Sequence, residues 1–280
     1  MPAASDHSWF RAHPVSHENI VWHWEQATPD EIAQGMRWYV DAHHVATAIA
    51  NGDAHLGAGM LAIYSPQQGW IGNVLNAARV LREGRGIGGP GSGMFATTGQ
   101  KSAADRLLNG DRYEDIVTGP KIRDFAHLIE FGEDQDPDDP RVVIDRHALS
   151  VAHGRALTSE EYDSAPVNGF RRKDGTVSRR QYDHVVSLYR RAAELISART
   201  GERVSAHQVQ AVTWLARQRL NQEAEQRRGP NRLDRGRNRA RANSERAWND
   251  FRTVYLPNLA NCPGTGYQSA AQRVPSEVSR

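Results

Sequence analysis

Apolar positions recur along most of the chain every three or four residues and almost nowhere every two. The pattern predicts helices and hardly a strand. The clearest helix begins at Thr28-Pro29-Asp30-Glu31, which combines an N-cap, a proline at the first helical position and a capping-box glutamate. Ile32, Met36, Tyr39, Val40 and His43 follow at helical spacing, and Asn51-Gly52-Asp53 predicts a stop near Ala50. Further helices are predicted over 57–65, 69–82, 100–108, 113–117, 121–131, 145–153, 179–200 and 205–228, with a last one over 243–255. Ser205-Ala206-His207-Gln208 is a second capping box. The expected class is all-α.

The polar intervals divide the chain. Residues 1–27 are expected as an N-terminal arm, 28–256 as a two-lobed helical domain and 257–280 as a flexible tail. Six glycines within 84–93 predict a flexible loop that closes over DNA or a substrate. Gly84, Gly86 and Gly89 fit Gly-x-Gly-x-x-Gly, but they follow a helix and no strand, which argues against a dinucleotide site. The five acids of 132–140 predict an exposed loop. Asp134, Asp136 and Asp138 alternate like calcium ligands, yet Pro137 and Pro140 intrude and Asp139 stands where a glycine is needed. Residues 156–178 are polar and expected to be irregular.

Composition narrows the classes. A chain of 280 residues with 39% hydrophobic and 24% charged content can bury a core. A net charge of only +2 means that any nucleic-acid affinity must be local. The stretch from Arg217 to Arg246, ten arginines against four acids, is either such a phosphate-holding face or a solvated helix with internal pairs such as Glu223 with Arg227. The single Cys262 excludes an internal disulfide framework and a cysteine-ligated cluster, and suits a reducing compartment. No apolar run reaches the ~18 residues of a membrane helix, and the first ten residues lack a secretory pattern, so a cytoplasmic location and no membrane partner are expected. His43 and His44 do not share a helix face, so no metal is expected. Trp38, Tyr39 and Trp214 are expected in the core.

Three segments carry the chemistry. Ala62-Ile63-Tyr64-Ser65-Pro66-Gln67-Gln68 is followed by Asn73. Thr118-Gly119-Pro120-Lys121-Ile122-Arg123-Asp124-Phe125 turns tightly into a helix. Val143-Ile144-Asp145-Arg146-His147-Ala148 opens another. A glycine in such a turn lets the backbone approach a phosphate and donate its N–H. A lysine on the next helical turn can reach a sugar C1′ and, once desolvated, attack it. An aspartate at the start of a facing helix stabilises positive charge on the sugar or activates the nucleophile. In the plainer reading, Lys121 is a surface lysine, Asp145 a helix cap, His147 a hydrogen-bonded core histidine and Gln67 a loop residue.

These segments, in this order, resemble the helix-hairpin-helix (HhH-GPD) DNA glycosylase superfamily, the relatives of endonuclease III and 8-oxoguanine glycosylase. There a helix ends in Ser-x-Gln, a Gly-x-Gly-x-Lys hairpin follows, and an apolar run meets an aspartate in an Asp-x-His context. Ser65-Pro66-Gln67, Gly119-Pro120-Lys121 and Val143-Ile144-Asp145-Arg146-His147 match, and the likeness covers roughly 58–153. The hairpin's first glycine is replaced by Val117 or Thr118, the acidic loop lengthens the gap between Lys121 and Asp145, and the 84–93 loop has no counterpart. The resemblance implies a bilobal all-α fold, double-stranded DNA as partner, base flipping and no cofactor. It makes Lys121 the nucleophile, Asp145 its electrostatic and acid–base partner and Gln67 the wedge that fills the emptied stack. Gly119, Arg123, Arg146 and His147 then contact DNA. The chain is also similar to small bacteriophage proteins with Ser-Pro-Gln, then Asp-Arg-His, then Gln210-Ala211-Val212-Thr213-Trp214. Phage thymidine-hypermodification enzymes on this scaffold join an amine or amino acid to activated 5-hydroxymethyluracil, displacing pyrophosphate. That likeness implies that Lys121 binds or activates the amine and Asp145 acts as base. A non-catalytic DNA-binding protein is the third expectation.

Overall fold

The computed structural model describes residues 7–66, 68–136, 138–168, 179–228 and 246–253. They are all-α, with no strand among them. In chain order the helices are α1 (Ser8–Ala12), α2 (His17–Glu25), α3 (Pro29–Ile49), α4 (Ala54–Tyr64), α5 (Trp70–Glu83), α6 (Thr98–Leu108), α7 (Tyr113–Ile116), α8 (Pro120–Phe131), α9 (Arg146–His153), α10 (Ser159–Asp163), α11 (Arg180–Thr200) and α12 (Ala206–Arg228), and 246–253 is helical as well. No described helix is long and apolar enough to cross a membrane.

Local chemistry sets most of the helix starts. The Thr28 box closes as predicted: the Glu31 amide donates to Thr28 Oγ1 at 3.2 Å and the Thr28 amide to Glu31 Oε2 at 2.9 Å. Asp53, Thr97, Asp145 and Thr158 cap α4, α6, α9 and α10 in the same i, i+3 manner. Gly84 and Gly201 end α5 and α11 in the left-handed conformation.

Two hydrophobic clusters form the core. One surrounds α4, which is apolar on every side and buried from Gly57 to Tyr64 between α3, α5, α6 and α8. Helix α3 approaches α4 so closely that a Cβ at Gly57 would stand 2.1 Å from the Ala46 carbonyl oxygen. The other cluster joins α1, α2, α9, α11 and the first half of α12 through residues such as Trp9, Ile20, Ile144, Leu149, Tyr189 and Val209. Helix α12 lies along α3 and ties the two together. Tyr39 Oη donates to Gln210 Oε1 at 3.0 Å, and Gln208 Nε2 donates to the Met36 carbonyl at 3.0 Å.

Several expectations are corrected. Residues 8–25 are no loose arm: α1 and α2 bury Trp9, Phe10, Ile20, Val21 and Trp24 in the second cluster. The first half of the glycine-rich loop is pinned. Tyr64 Oη donates to the Ile87 carbonyl at 2.8 Å, Asp105 Oδ1 accepts from the Gly86 amide at 2.5 Å, and Ile87 is buried. Gly86 passes so near α6 that a Cβ would meet the Lys101 carbonyl oxygen at 2.2 Å. In the acidic loop Asp139 is buried, accepting from the Arg141 amide at 2.8 Å and from His127 Nε2 at 3.1 Å. Together with Arg141 these donors hold its carboxyl far below the usual carboxylate range, against the burial that opposes them. Residues 156–168 include α10 and a 3-10 turn at Pro166–Asn168. Glu223 pairs with Arg219 at 2.9 Å, the residue one turn before it rather than Arg227. The expected tail 257–280 and the arginine-rich 229–245 lie outside the described residues.

Candidate active site

A tight three-residue hairpin, 117–119, joins the short α7 to α8. Val117 and Gly119 are extended, and Pro120 takes the first helical position, where its missing N–H costs nothing. Arg123 folds back, its Nε donating to the Val117 carbonyl at 2.7 Å and its Nη2 to the Glu114 carbonyl. The guanidinium expected on DNA thus braces the hairpin. Gly119 has an ordinary φ of −76°, and a Cβ there would meet nothing within 4 Å. The protein's own packing therefore leaves the hairpin tip open. Lys121 follows it, half-buried, in the first turn of α8.

Asp145 arrives from the other side on an extended segment. Tyr182 Oη donates to the Val142 carbonyl at 2.7 Å and accepts from the Ile144 amide at 3.1 Å, which fixes the approach to α9. Asp145 Oδ1 accepts from the Ala148 amide at 2.7 Å, a true N-cap. Oδ2 has no hydrogen bond among the described residues. Arg146 is exposed and donates to Ser159 Oγ at 3.0 Å. His147 is half-buried, edge-on to Trp214 with ring centroids 6.4 Å apart. Trp38 and Tyr39 are buried as expected, whereas Trp214 is only half-buried. Gln67, the expected wedge, lies outside the described residues.

The electrostatics bring these residues together. Burial pushes the His147 imidazole down from its ordinary pKa, Asp145 pulls it up, and the cations Arg146, Arg217 and Lys121 push it down again. One imidazole therefore senses both Lys121 and Asp145. Burial also raises the hydroxyls of Tyr39, Tyr162 and Tyr189, and the Asp145 carboxylate raises each further. Behind Lys121 on α8, Asp124 is clasped by Arg179 through two bonds of 3.1 and 2.9 Å, which binds the hairpin helix to the start of α11.

Sequence reasoning missed Arg217 as a member of this group, treating it as one arginine of a basic stretch. It is only 5% exposed. Its Nη1 stands 3.5 Å from His23 Nε2, its Nε has no partner, and no carboxylate lies at ion-pair distance among the described residues. Burial pushes its pKa down while Asp145 and Tyr189 pull it up. The signal was present in helical spacing: Arg217 is one turn beyond Thr213 and two beyond Gln210, both buried on α12.

One described group has metal-ligand spacing. His55, Glu114 and Glu130 offer ligand atoms within 4.8 Å of one another. Glu130 is already committed, accepting from Tyr113 Oη at 2.5 Å and lying 2.9 Å from His55 Nδ1, so the group reads as a brace beneath the hairpin.

The family of unknown function DUF7178 matches residues 11–222. The chain belongs to the DUF7178 family. No curated protein and no solved structure matches it. The DUF7178 span contains the hairpin, Lys121, Asp145, His147 and Arg217, and it ends before most of the arginine-rich stretch.

Proposed function

We propose that this DUF7178 protein acts on bases in double-stranded DNA as an N-glycosylase, with Lys121 and Asp145 as its reacting groups. The observation that carries this reading is that Asp145 caps α9 through Oδ1 while Lys121 follows the open Gly119-Pro120 turn, and that the charges of both residues act on the His147 imidazole. The open hairpin tip beside Lys121 supports it, because a phosphate backbone can approach there.

In this reading the target base leaves the stack, at a cost of a few kcal/mol, and enters the seam between the clusters. The Lys121 amine attacks the sugar C1′. The glycosidic C1′–N bond breaks, its electron pair leaves with the base, and the base takes up a proton. Asp145 stabilises the positive charge that builds on the sugar and accepts the proton that the attacking amine gives up. Arg217, buried with no carboxylate partner among the described residues, offers donors to carbonyl oxygens of the flipped base.

Borohydride trapping on duplexes carrying a panel of modified bases, together with base release from the same duplexes, tests the reading. Wild type is expected to form an adduct that Lys121→Ala loses. Asp145→Asn is the sharper variant, since asparagine keeps the cap and removes the charge. It is expected to fold normally and to lose about 10²–10⁴-fold in rate. Salt-sensitive DNA binding with neither adduct nor base release on any duplex would overturn the glycosylase reading in favour of transfer chemistry or a non-catalytic binder.

A further inference from the structure

The brace beneath the hairpin draws on three elements. His55 comes from the start of α4, Glu114 from α7 and Glu130 from the end of α8, and each offers a ligand atom within 4.8 Å of the others. Most of their polar atoms are engaged. Glu130 Oε2 accepts from Tyr113 Oη at 2.5 Å, and Glu130 Oε1 lies 2.9 Å from His55 Nδ1. Glu114 Oε1 accepts from Arg112 Nη2 at 2.7 Å. Tyr113 also stacks on the His55 ring, with centroids 4.6 Å apart. The imidazole is thus held by one edge and one face.

The brace is incomplete between His55 Nε2 and Glu114 Oε2. Both atoms are buried, neither has a hydrogen-bond partner among the described residues, and they stand 3.9 Å apart. An ionised carboxylate only accepts, so the Glu130 contact requires the proton on Nδ1. In the neutral ring Nε2 is then a lone pair beside a carboxylate oxygen. Two buried acceptors next to each other are rare unless something positive completes them. The separation suits a metal ion: one lying between them is about 2 Å from each, an ordinary bond length from zinc to imidazole nitrogen and to carboxylate oxygen. Closing the pair by about half an ångström gives tetrahedral spacing. The two side chains are still 28% and 38% exposed, so a small rotation admits the ion and water completes its coordination.

Glu130 strengthens the case. A metal-binding histidine characteristically donates its other N–H to a carboxylate, which fixes the tautomer and aims the ring. Glu130 does this for His55, and Tyr113 orients Glu130 in turn. A nitrogen ligand selects against magnesium and calcium, which prefer oxygen alone. We propose that His55 Nε2 and Glu114 Oε2 bind a divalent transition-metal ion of the zinc class, with Glu130 as the carboxylate that orients His55, and that the ion ties the start of α4 to both arms of the hairpin. The site does not involve Lys121 or Asp145, and its test involves no DNA.

The experiment is titration of the full chain, stripped with a chelator, with Zn²⁺, read by calorimetry and by thermal unfolding. Saturable micromolar binding and a Tm that rises with Zn²⁺ concentration are expected, with no such response to Mg²⁺. Co²⁺ is expected to give a visible absorption band. The chain has 12 histidines, so the variants locate the site. Glu114→Gln keeps the shape of the side chain and removes a charged ligand, and is expected to weaken Zn²⁺ by about tenfold or more. His55→Phe keeps the ring against Tyr113 and removes the nitrogen, and is expected to abolish the Co²⁺ band. Should His55→Phe not fold, Glu114→Gln, at a partly exposed position, decides alone. The proposal is overturned if wild type shows neither saturable Zn²⁺ binding nor a rise in Tm, which would make His55 a protonated partner of the two carboxylates. It is overturned equally if Mg²⁺ binds as tightly as Zn²⁺, or if Zn²⁺ affinity is unchanged in Glu114→Gln.

Discussion

The two hydrophobic clusters are built differently. Around α4 the packing is dry and tight: alanines, glycines and aliphatic side chains bring backbones together, as at Gly57 against Ala46. Around α9 and α11 it is organised by buried hydroxyls, with Tyr182 holding the 142–144 segment and Tyr189 Oη donating to the Ala148 carbonyl at 2.9 Å. The dry cluster supplies a rigid platform for the hairpin. The polar one positions Asp145 and tolerates His23, His147 and Arg217 beside it. The candidate chemistry lies on the seam, where a side chain can be desolvated and still meet polar partners.

Substitutions in each cluster test this contrast. The largest effect is expected in the dry cluster: Gly57→Val drives a side chain into the Ala46 carbonyl, and a loss of more than about 4 kcal/mol in urea unfolding is expected. A loss below about 1 kcal/mol would show that α3 and α4 can separate freely. Next comes pH. Burial pushes His207 down to about 4, well below its ordinary value, so the unfolded chain binds a proton that the folded chain refuses. Its contribution is complete above about pH 6.5 and is lost as pH falls toward 4, a change on the order of 3 kcal/mol. His23 and His147 are shifted in the same direction. His207→Phe is expected to flatten the dependence of Tm over that interval, and an unchanged slope would assign the effect elsewhere.

Tyr182→Phe removes one hydroxyl that serves two backbone groups, for an expected loss of about 2 kcal/mol and a looser approach to Asp145. The smallest effect on stability is expected at Arg217. Replacing a buried guanidinium that has no carboxylate partner among the described residues by methionine is expected to be neutral or stabilising by about 1 kcal/mol, while removing any base release by the wild type. Strong destabilisation would make Arg217 a structural residue and weaken its place in the seam.

Much of the helical order was legible because it rests on short-range chemistry. The Thr28 and Ser205 boxes, the glycine stops and the Gly119-Pro120 turn act over three or four residues, and the chain carries them in plain order. The tryptophans of α1 and α2 were read as part of an arm because a helix of five residues and one of nine leave too little periodicity to separate core from surface. The glycines of 84–88 looked like a device for flexibility, and their real use, close passage by α6, depends on a helix not yet placed.

The candidate site divides in the same way. Sequence alone determined that Lys121 starts a helix behind a tight turn, that Asp145 caps another, and that Asp145 and His147 open the same turn, because capping and turn geometry are local. Tertiary structure alone decided that Arg123 is spent on the hairpin itself, that Arg217 is buried against His23, that Lys121, Asp145 and Arg217 all act on the charge of His147, and that α1 and α2 complete the second cluster. Those facts depend on long-range bonds such as Tyr39 to Gln210 and Asp124 to Arg179, which exist only once both clusters have packed and the seam between them has closed.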